Sequence, residues 1–130
     1  MNASDVMTNP VITAVPSTSA RDIAGVLLTE GFSGLPIVDE NGEVVGIVTE
    51  ADLIRALRWN RPLETTTASE IMSKDVKAVD IHTPITLVME ILETEHFIRV
   101  PVTESGKLVG IISRRDLIKA NVVPQFKKFG

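Results

Sequence analysis

A hydroxyl residue followed three positions later by an aspartate occurs twice in this chain, each time directly after an apolar run. The stretch VVGIVTEADL at residues 44–53 contains Thr49 and Asp52, and LVGIISRRDL at residues 108–117 contains Ser113 and Asp116. A hydroxyl that ends a strand, with an acid three residues into the next helix, is typical of a capping box. The pattern therefore predicts a strand-to-helix junction at both places.

The same geometry also suits a nucleotide. The first turn of a helix offers unpaired N–H groups and a partial positive charge to a phosphate, and a nearby hydroxyl can join them. An aspartate one turn into the helix can accept the hydroxyls of a ribose, as acidic residues do in other nucleotide sites. The residues alone leave both interpretations open, since a helix cap in the empty protein can become a ligand contact.

The two phrases belong to a longer internal repeat. Met7 aligns with Met72 and, after a gap of one residue in a turn, Asp52 aligns with Asp116. Each copy reads as β-α-β-β-α, so the predicted fold class is α+β (or α/β) with two repeats related by a pseudo-twofold. Because half of a chain this short would be marginal alone, we expect the repeats to pack through their sheets around one shared core.

The elements follow from turn and helix signals. Asn41-Gly42 and Ser105-Gly106 predict two hairpins, and Ser19 predicts a helix start. In the first copy a short strand is expected at residues 11–15 and the last helix at 50–59; in the second copy the last helix is expected at 114–121. The predicted division of the chain is repeat 1 at 1–59, a linker at 60–68, repeat 2 at 69–122 and a C-terminal tail at 123–130.

Composition excludes several classes of function. The chain has 130 residues, 13 basic and 17 acidic side chains, a net charge of −4 and no cysteine. That charge gives no reason to expect nucleic-acid binding, and the apolar runs fall far short of the roughly 20 residues that span a bilayer. With no leader pattern at the N-terminus, we expect a cytoplasmic protein. His82 and His96 lack a third ligand, and no nucleophile or base pattern is present, so neither a metal site nor an enzyme is expected.

The two stretches GLPIVDENGEVVGIVTEADL and RVPVTESGKLVGIISRRDL, each preceded by a strand and a helix, resemble cystathionine β-synthase (CBS) domains. The resemblance covers nearly the whole chain, and a tandem pair of such domains is called a Bateman module. It implies two clefts between the repeats that bind adenine nucleotides or related adenosyl compounds.

The resemblance also implies roles for particular residues. Asp52 and Asp116 would hold ribose hydroxyls, and Thr49 and Ser113 would contact ribose or phosphate. Apolar and backbone atoms of the segment that precedes each repeat would line the adenine; these segments contain Met7 and Val11 in one copy, and Met72 and Val76 in the other.

The two clefts are not expected to be equivalent. Arg99 and Arg115 stand at positions where nucleotide-binding relatives carry basic residues, whereas the first copy has Gly34 and Ala51 there. The planar guanidinium can make two charge-assisted hydrogen bonds to one phosphate. The cleft of Arg99, Ser113, Arg115 and Asp116 is therefore predicted to be the better site for a phosphorylated nucleotide.

The resemblance points to a stand-alone regulatory module that signals to an unidentified partner protein, with AMP, ADP or ATP as regulatory ligand and no required cofactor. Two alternatives stay open: a ligand-free scaffold protein, and a sensor of an adenosyl compound of the S-adenosylmethionine type. Homodimerisation is expected, because modules of this kind commonly pair.

Overall fold

A computed structural model describes residues 1–94 and 99–122 of the chain. The expectations for His96 and for the tail at 123–130 fall outside these ranges.

The described part contains helices and strands in the predicted order, except that the first strand of the first copy is reduced to a single bridge and each copy has one additional short helix. The helices are α1 (Ala3–Val6), α2 (Ala20–Glu30), α3 (Glu50–Arg58), α4 (Ala68–Ile71), α5 (Ile85–Thr94) and α6 (Arg114–Asn121). The strands are β1 (Gly34–Val38), β2 (Val44–Thr49), β3 (Val79–Asp80), β4 (Arg99–Glu104) and β5 (Lys107–Ser113).

Both hairpins and both strand-to-helix junctions are as predicted. Strand β1 pairs antiparallel with β2, and β4 pairs antiparallel with β5. Gly42 and Gly106 each have a φ of +81°, a conformation that glycine adopts without steric cost. Strand β2 runs directly into α3 at Glu50, and β5 runs directly into α6 at Arg114.

The strand predicted at residues 11–15 is shorter than expected. Ala14 alone makes a bridge, parallel to Ile37, through backbone hydrogen bonds of 3.1 and 2.9 Å. Pro10 and Pro16 flank the segment, and proline has no N–H to donate to a ladder. In the second copy the corresponding β3 retains two paired residues, Val79 and Asp80, alongside β4.

The short helices α1 and α4 exchange places between the copies. Helix α1 lies at the start of the first repeat but contributes Ala3 to the core of the second, where the backbone N–H of Ala3 donates to the carbonyl of Thr83 at 2.8 Å. Helix α4 precedes the second repeat, and Ala68 lies in the first core and donates to the carbonyl of Thr18 at 2.8 Å. The core of each copy is thus completed by a short helix that belongs to the other copy in sequence.

The core is therefore divided rather than shared. One buried cluster contains Ile23, Ile37 and Val48 from the first copy, and the other contains Val88 and Val100 from the second. The sheets meet at their edges, where the N–H of Leu108 donates to the carbonyl of Gly42 at 3.0 Å. No helix among residues 1–94 and 99–122 is long and apolar enough to cross a membrane.

Two glycines allow the segments that follow α1 and α4 to approach the strands closely. A Cβ on Gly110 of β5 would lie 2.8 Å from Cγ of Met7, and a Cβ on Gly46 of β2 would lie 2.8 Å from Cγ of Met72. Both distances are well inside van der Waals contact. Because glycine has no side chain, the segment that follows each short helix can pack directly on the sheet of the other copy.

We predict that Gly110→Ala lowers the free energy of unfolding by about 1–3 kcal/mol, because the new methyl group overpacks the contact with Met7. The measurement is equilibrium urea unfolding. Gly25→Ala is the matched control: it lies in α2 with nothing within 4 Å of its Cβ, and alanine there should stabilise by about 0.5–1 kcal/mol. Equal effects of the two substitutions would contradict the close packing.

Candidate functional site

The two capping boxes predicted from the sequence are formed with the same geometry. The Thr49 hydroxyl accepts from the backbone N–H of Asp52 at 3.3 Å, and Asp52 Oδ2 accepts from the Thr49 N–H at 2.8 Å and from its hydroxyl at 3.0 Å. Ser113 and Asp116 repeat these three hydrogen bonds at 2.8, 3.0 and 3.3 Å. In each copy the cap occupies Oδ2 of the aspartate and leaves Oδ1 for other partners.

The partners of Oδ1 differ between the copies. In the second copy, Asp116 Oδ1 accepts a hydrogen bond of 3.2 Å from the hydroxyl of Thr8, which arrives with the exchanged segment. In the first copy, Asp52 Oδ1 pairs with the guanidinium of Arg55 on the same helix. A neutral, exposed hydroxyl therefore covers one carboxylate, and a cation covers the other.

A cleft of about 330 Å³ lies beside Asp116, within the size range of small-molecule sites. Its wall is built from both copies and from the exchanged segment. The lining residues are Thr8, Glu30, Gly31, Phe32, Ser33, Arg99, Ser113, Arg115 and Asp116.

Arg99 is the half-buried cation of this cleft. Its guanidinium stacks over the ring of Phe32, 4.4 Å from the ring centre, and its Nη1 donates to the carbonyl of Gly34 at 3.4 Å. Its Nε is buried and finds no hydrogen-bond partner among the described residues. Burial lowers the pKa of Arg99, and the charge of Asp116 opposes that shift. A buried N–H without a partner is energetically costly, so the surroundings of Arg99 do not fully satisfy its guanidinium.

A smaller, apolar cavity of about 20 Å³ adjoins the cleft and shares Thr8, Phe32 and Arg99 with it. Its other walls are Pro10, Val11, Ile12, Gly34, Leu35, Pro36 and Ile111. Charged side chains of Arg99, Arg115 and Asp116 thus line the cleft, and the adjoining cavity is mainly apolar.

The structure brings together several of the predicted residues. Arg99, Ser113, Arg115 and Asp116 line one cleft, and Val11 lines the adjoining cavity. Arg114 does not line the cleft; it is exposed and donates from Nη2 to the carbonyl of Leu92 at 3.5 Å.

The remaining predicted residues do not line this cleft. Met72 packs on Gly46, next to the junction of Thr49 and Asp52. Val76, further along the same segment, is half-buried. Met7 packs on Gly110 on the side of the Asp116 cleft, so the segment from the first copy serves the cleft of the second.

Sequence reasoning missed the contributions of Thr8 and Phe32. The signal for Thr8 was available, because the aligned residue is Ser73 and both copies carry a hydroxyl there. No spacing indicated that Phe32 would lie beneath Arg99, since the two residues belong to different copies. Among the described residues, no group of histidine, aspartate and glutamate side chains could hold a metal ion.

The comparisons with known proteins agree with this architecture. The family model described as CBS domain matches twice, at residues 3–58 and 68–122. The chain therefore belongs to the CBS domain family and carries two such domains.

One relative is an uncharacterised 17.7 kDa protein of Acidianus ambivalens, 32% identical over 128 residues, which are 98% of this chain and 77% of the relative. Another, the L-aspartate semialdehyde sulfurtransferase of Methanocaldococcus jannaschii, is 32% identical over 114 residues. This chain spans only 22% of that enzyme's length.

Two solved structures with the same fold contain adenosyl ligands. The CBS domain pair of protein MJ0100, in complex with 5′-methylthioadenosine and S-adenosyl-L-methionine, is 30% identical with a TM-score of 0.82 and covers 93% of this chain and 95% of its own. CBSX2 in complex with AMP is 27% identical with a TM-score of 0.81 and covers 92% of this chain and 95% of its own.

We predict that Arg99→Met leaves the free energy of unfolding of the ligand-free protein unchanged or raises it by about 1 kcal/mol. Methionine removes a desolvated charge and still packs on Phe32. Urea unfolding measures the effect, and Arg114→Met, which removes an exposed arginine with only a long hydrogen bond, is the control. A loss of more than about 1 kcal/mol in Arg99→Met alone would mean that Arg99 has a structural role.

Proposed function

We propose that this chain is a cytoplasmic regulatory module that binds one adenine nucleotide in the cleft of Arg99, Ser113, Arg115 and Asp116. The observation that carries the proposal is that the guanidinium of Arg99, whose Nε has no partner among the described residues, lines one cleft with Asp116, whose Oδ1 accepts from a single exposed hydroxyl. Such a cleft offers a donor for phosphate and an acceptor for ribose in one place.

Each part of the nucleotide has a matching surface. The ribose hydroxyls take the place of the Thr8 hydroxyl at Asp116 Oδ1, and the phosphate lies between Arg99 and Arg115. Ser113, at the start of α6, adds a hydroxyl next to the positive end of the helix. The adenine lies toward the apolar cavity at Val11, which at about 20 Å³ has to widen before it can admit a planar ring.

Binding is coupled to the arrangement of the two copies because the ligand contacts both. Phe32 belongs to the first copy, Asp116 belongs to the second, and Thr8 lies on the exchanged segment. A ligand that fits one arrangement better than another shifts the population toward it, and equal affinity for both would shift nothing. A partner protein then reads the arrangement, which makes the module a sensor and not an enzyme.

We also propose that the module pairs with a second copy. Several large apolar side chains on the outward faces of the helices are exposed: Leu28, Ile54, Leu57, Trp59 and Ile118. A second copy would bury them, and light scattering measures the resulting mass. A monomer at all concentrations would contradict the pairing.

One alternative ligand and one alternative function have specific support. The complex of the MJ0100 domain pair with S-adenosyl-L-methionine favours an adenosyl ligand without phosphates. The complete capping boxes favour a scaffold in which the aspartates serve the fold alone. Comparison of AMP with S-adenosylmethionine separates the ligands, and replacing the aspartates separates sensing from capping.

The central prediction concerns two equivalent aspartates. Asp116→Ala and Asp52→Ala each remove the carboxylate half of a capping box and keep the hydrogen bond from the backbone N–H to the hydroxyl, so each should cost about 1 kcal/mol of stability, and Asp52→Ala also loses the ion pair with Arg55. Asp116→Ala alone should abolish the calorimetric signal of AMP. At an AMP concentration of 100 times Kd, the wild type and Asp52→Ala should gain about 2.7 kcal/mol of stability.

Two neighbouring arginines provide a further control within the same prediction. Arg115→Ala should weaken AMP about tenfold through loss of a charge-assisted contact, and Arg114→Ala should leave AMP binding unchanged. No binding of any adenosyl compound to the wild type would leave the scaffold as the remaining function.

A further inference from the structure

The cleft expected beside Asp52, here called the first cleft, differs from the second in more than the absence of the two arginines. Asp52 and Asp116 make the same three capping hydrogen bonds, but Asp52 Oδ1 also forms an ion pair with Arg55. The residue at the corresponding position of α6 is Lys119, which is exposed, and no ion pair joins it to Asp116 within the described residues.

The ion pair is placed to compete with a ribose. Asp52 is buried, with 7% of its side chain exposed, whereas 45% of the Arg55 side chain is exposed. The guanidinium therefore lies on the outer side of the carboxylate and covers the one oxygen that the cap leaves free. A ribose hydroxyl can reach that oxygen only by sharing it with the arginine or displacing it. Burial of the aspartate makes displacement less favourable than at a fully exposed pair.

We propose that Arg55 sets the ligand selectivity of the first cleft by occupying Asp52 Oδ1, and that removing it opens this cleft to an uncharged adenosyl compound. The inference depends on the proposed function, because it assumes that the aspartate of each copy is the ribose acceptor. Gly34 and Ala51 stand where the second copy has Arg99 and Arg115, so the opened cleft lacks those phosphate-binding side chains. A nucleoside is accordingly the class of ligand it would take.

Arginine and lysine are not equivalent in this position. The planar fork of arginine fits a carboxylate, whereas the lysine ammonium is a compact, strongly hydrated charge on a flexible stem. The substitution Arg55→Lys therefore keeps the positive charge at this position and places there the residue type found at Lys119 in the second copy. Lys119→Arg makes the reciprocal change in the second cleft.

The experiment measures adenosine binding by calorimetry in an Asp116→Ala background, where the second cleft is disabled. Adding Arg55→Lys or Arg55→Ala should raise the affinity of the remaining cleft for adenosine about fivefold, the factor expected from removing a partly exposed ion pair. Adding Asp52→Ala should abolish the binding again. Circular dichroism and the melting temperature establish that each variant is folded.

The reciprocal change is tested with AMP in the otherwise unaltered protein. Lys119→Arg should weaken AMP about fivefold, and Lys119→Gln, which removes the charge without supplying a guanidinium, should not weaken it. If AMP binds the wild type but neither Arg55 variant gains affinity for adenosine, the inference is wrong and the proposed function stands. If AMP does not bind the wild type, the proposed function itself fails. Weaker adenosine binding in the Arg55 variants would mean that Arg55 contacts the ligand, which also contradicts the inference.

Discussion

The exchange of the short helices α1 and α4 is the constraint on which the rest of the structure depends. Each repeat has a small sheet of two or three strands, and each core is closed by a helix that lies on the other side of the linker in sequence. Gly46 and Gly110 make the exchange possible, because a side chain at either position would collide with a methionine of the incoming segment. The crossing also carries Thr8 to Asp116. The helix exchange that completes the two cores thus also assembles the cleft from residues of both copies.

The aspartate of each copy has two separable roles, one for each carboxylate oxygen. Oδ2 accepts two hydrogen bonds from the residue that ends the strand, and this fixes the start of the helix. Oδ1 is directed to other partners, and under the proposed function it is the atom that receives the ribose. Capping and ligand binding are therefore compatible interpretations of one motif. The same cap in both copies supports different clefts, because the partner of Oδ1 is a hydroxyl in one and a guanidinium in the other.

The sequence predicted most of the local structure because the signals for it were local. Asn41-Gly42, Ser105-Gly106 and the hydroxyl-aspartate pairs each depend on residues within a few positions, and all of them form as expected. The repeat also led to the family. The helix exchange, the separation into two clusters and the stacking of Arg99 on Phe32 were not predicted, because they join residues far apart in sequence. The length of the strand predicted at 11–15 was overestimated, since the flanking prolines limit backbone pairing more strongly than the apolar residues favour it.

The central claim is that the second cleft, and not the first, binds the nucleotide, and the two copies supply their own internal comparison. The most direct measurement is a titration of the isotope-labelled protein with AMP, followed by the amide resonances of Ser113 and Asp116 and of their counterparts Thr49 and Asp52. We expect the Ser113 and Asp116 amides, together with that of Thr8, to shift and saturate at one AMP per chain while Thr49 and Asp52 stay unchanged. Shifts centred on Thr49 and Asp52, or no shifts at either junction, would contradict the assignment of the site.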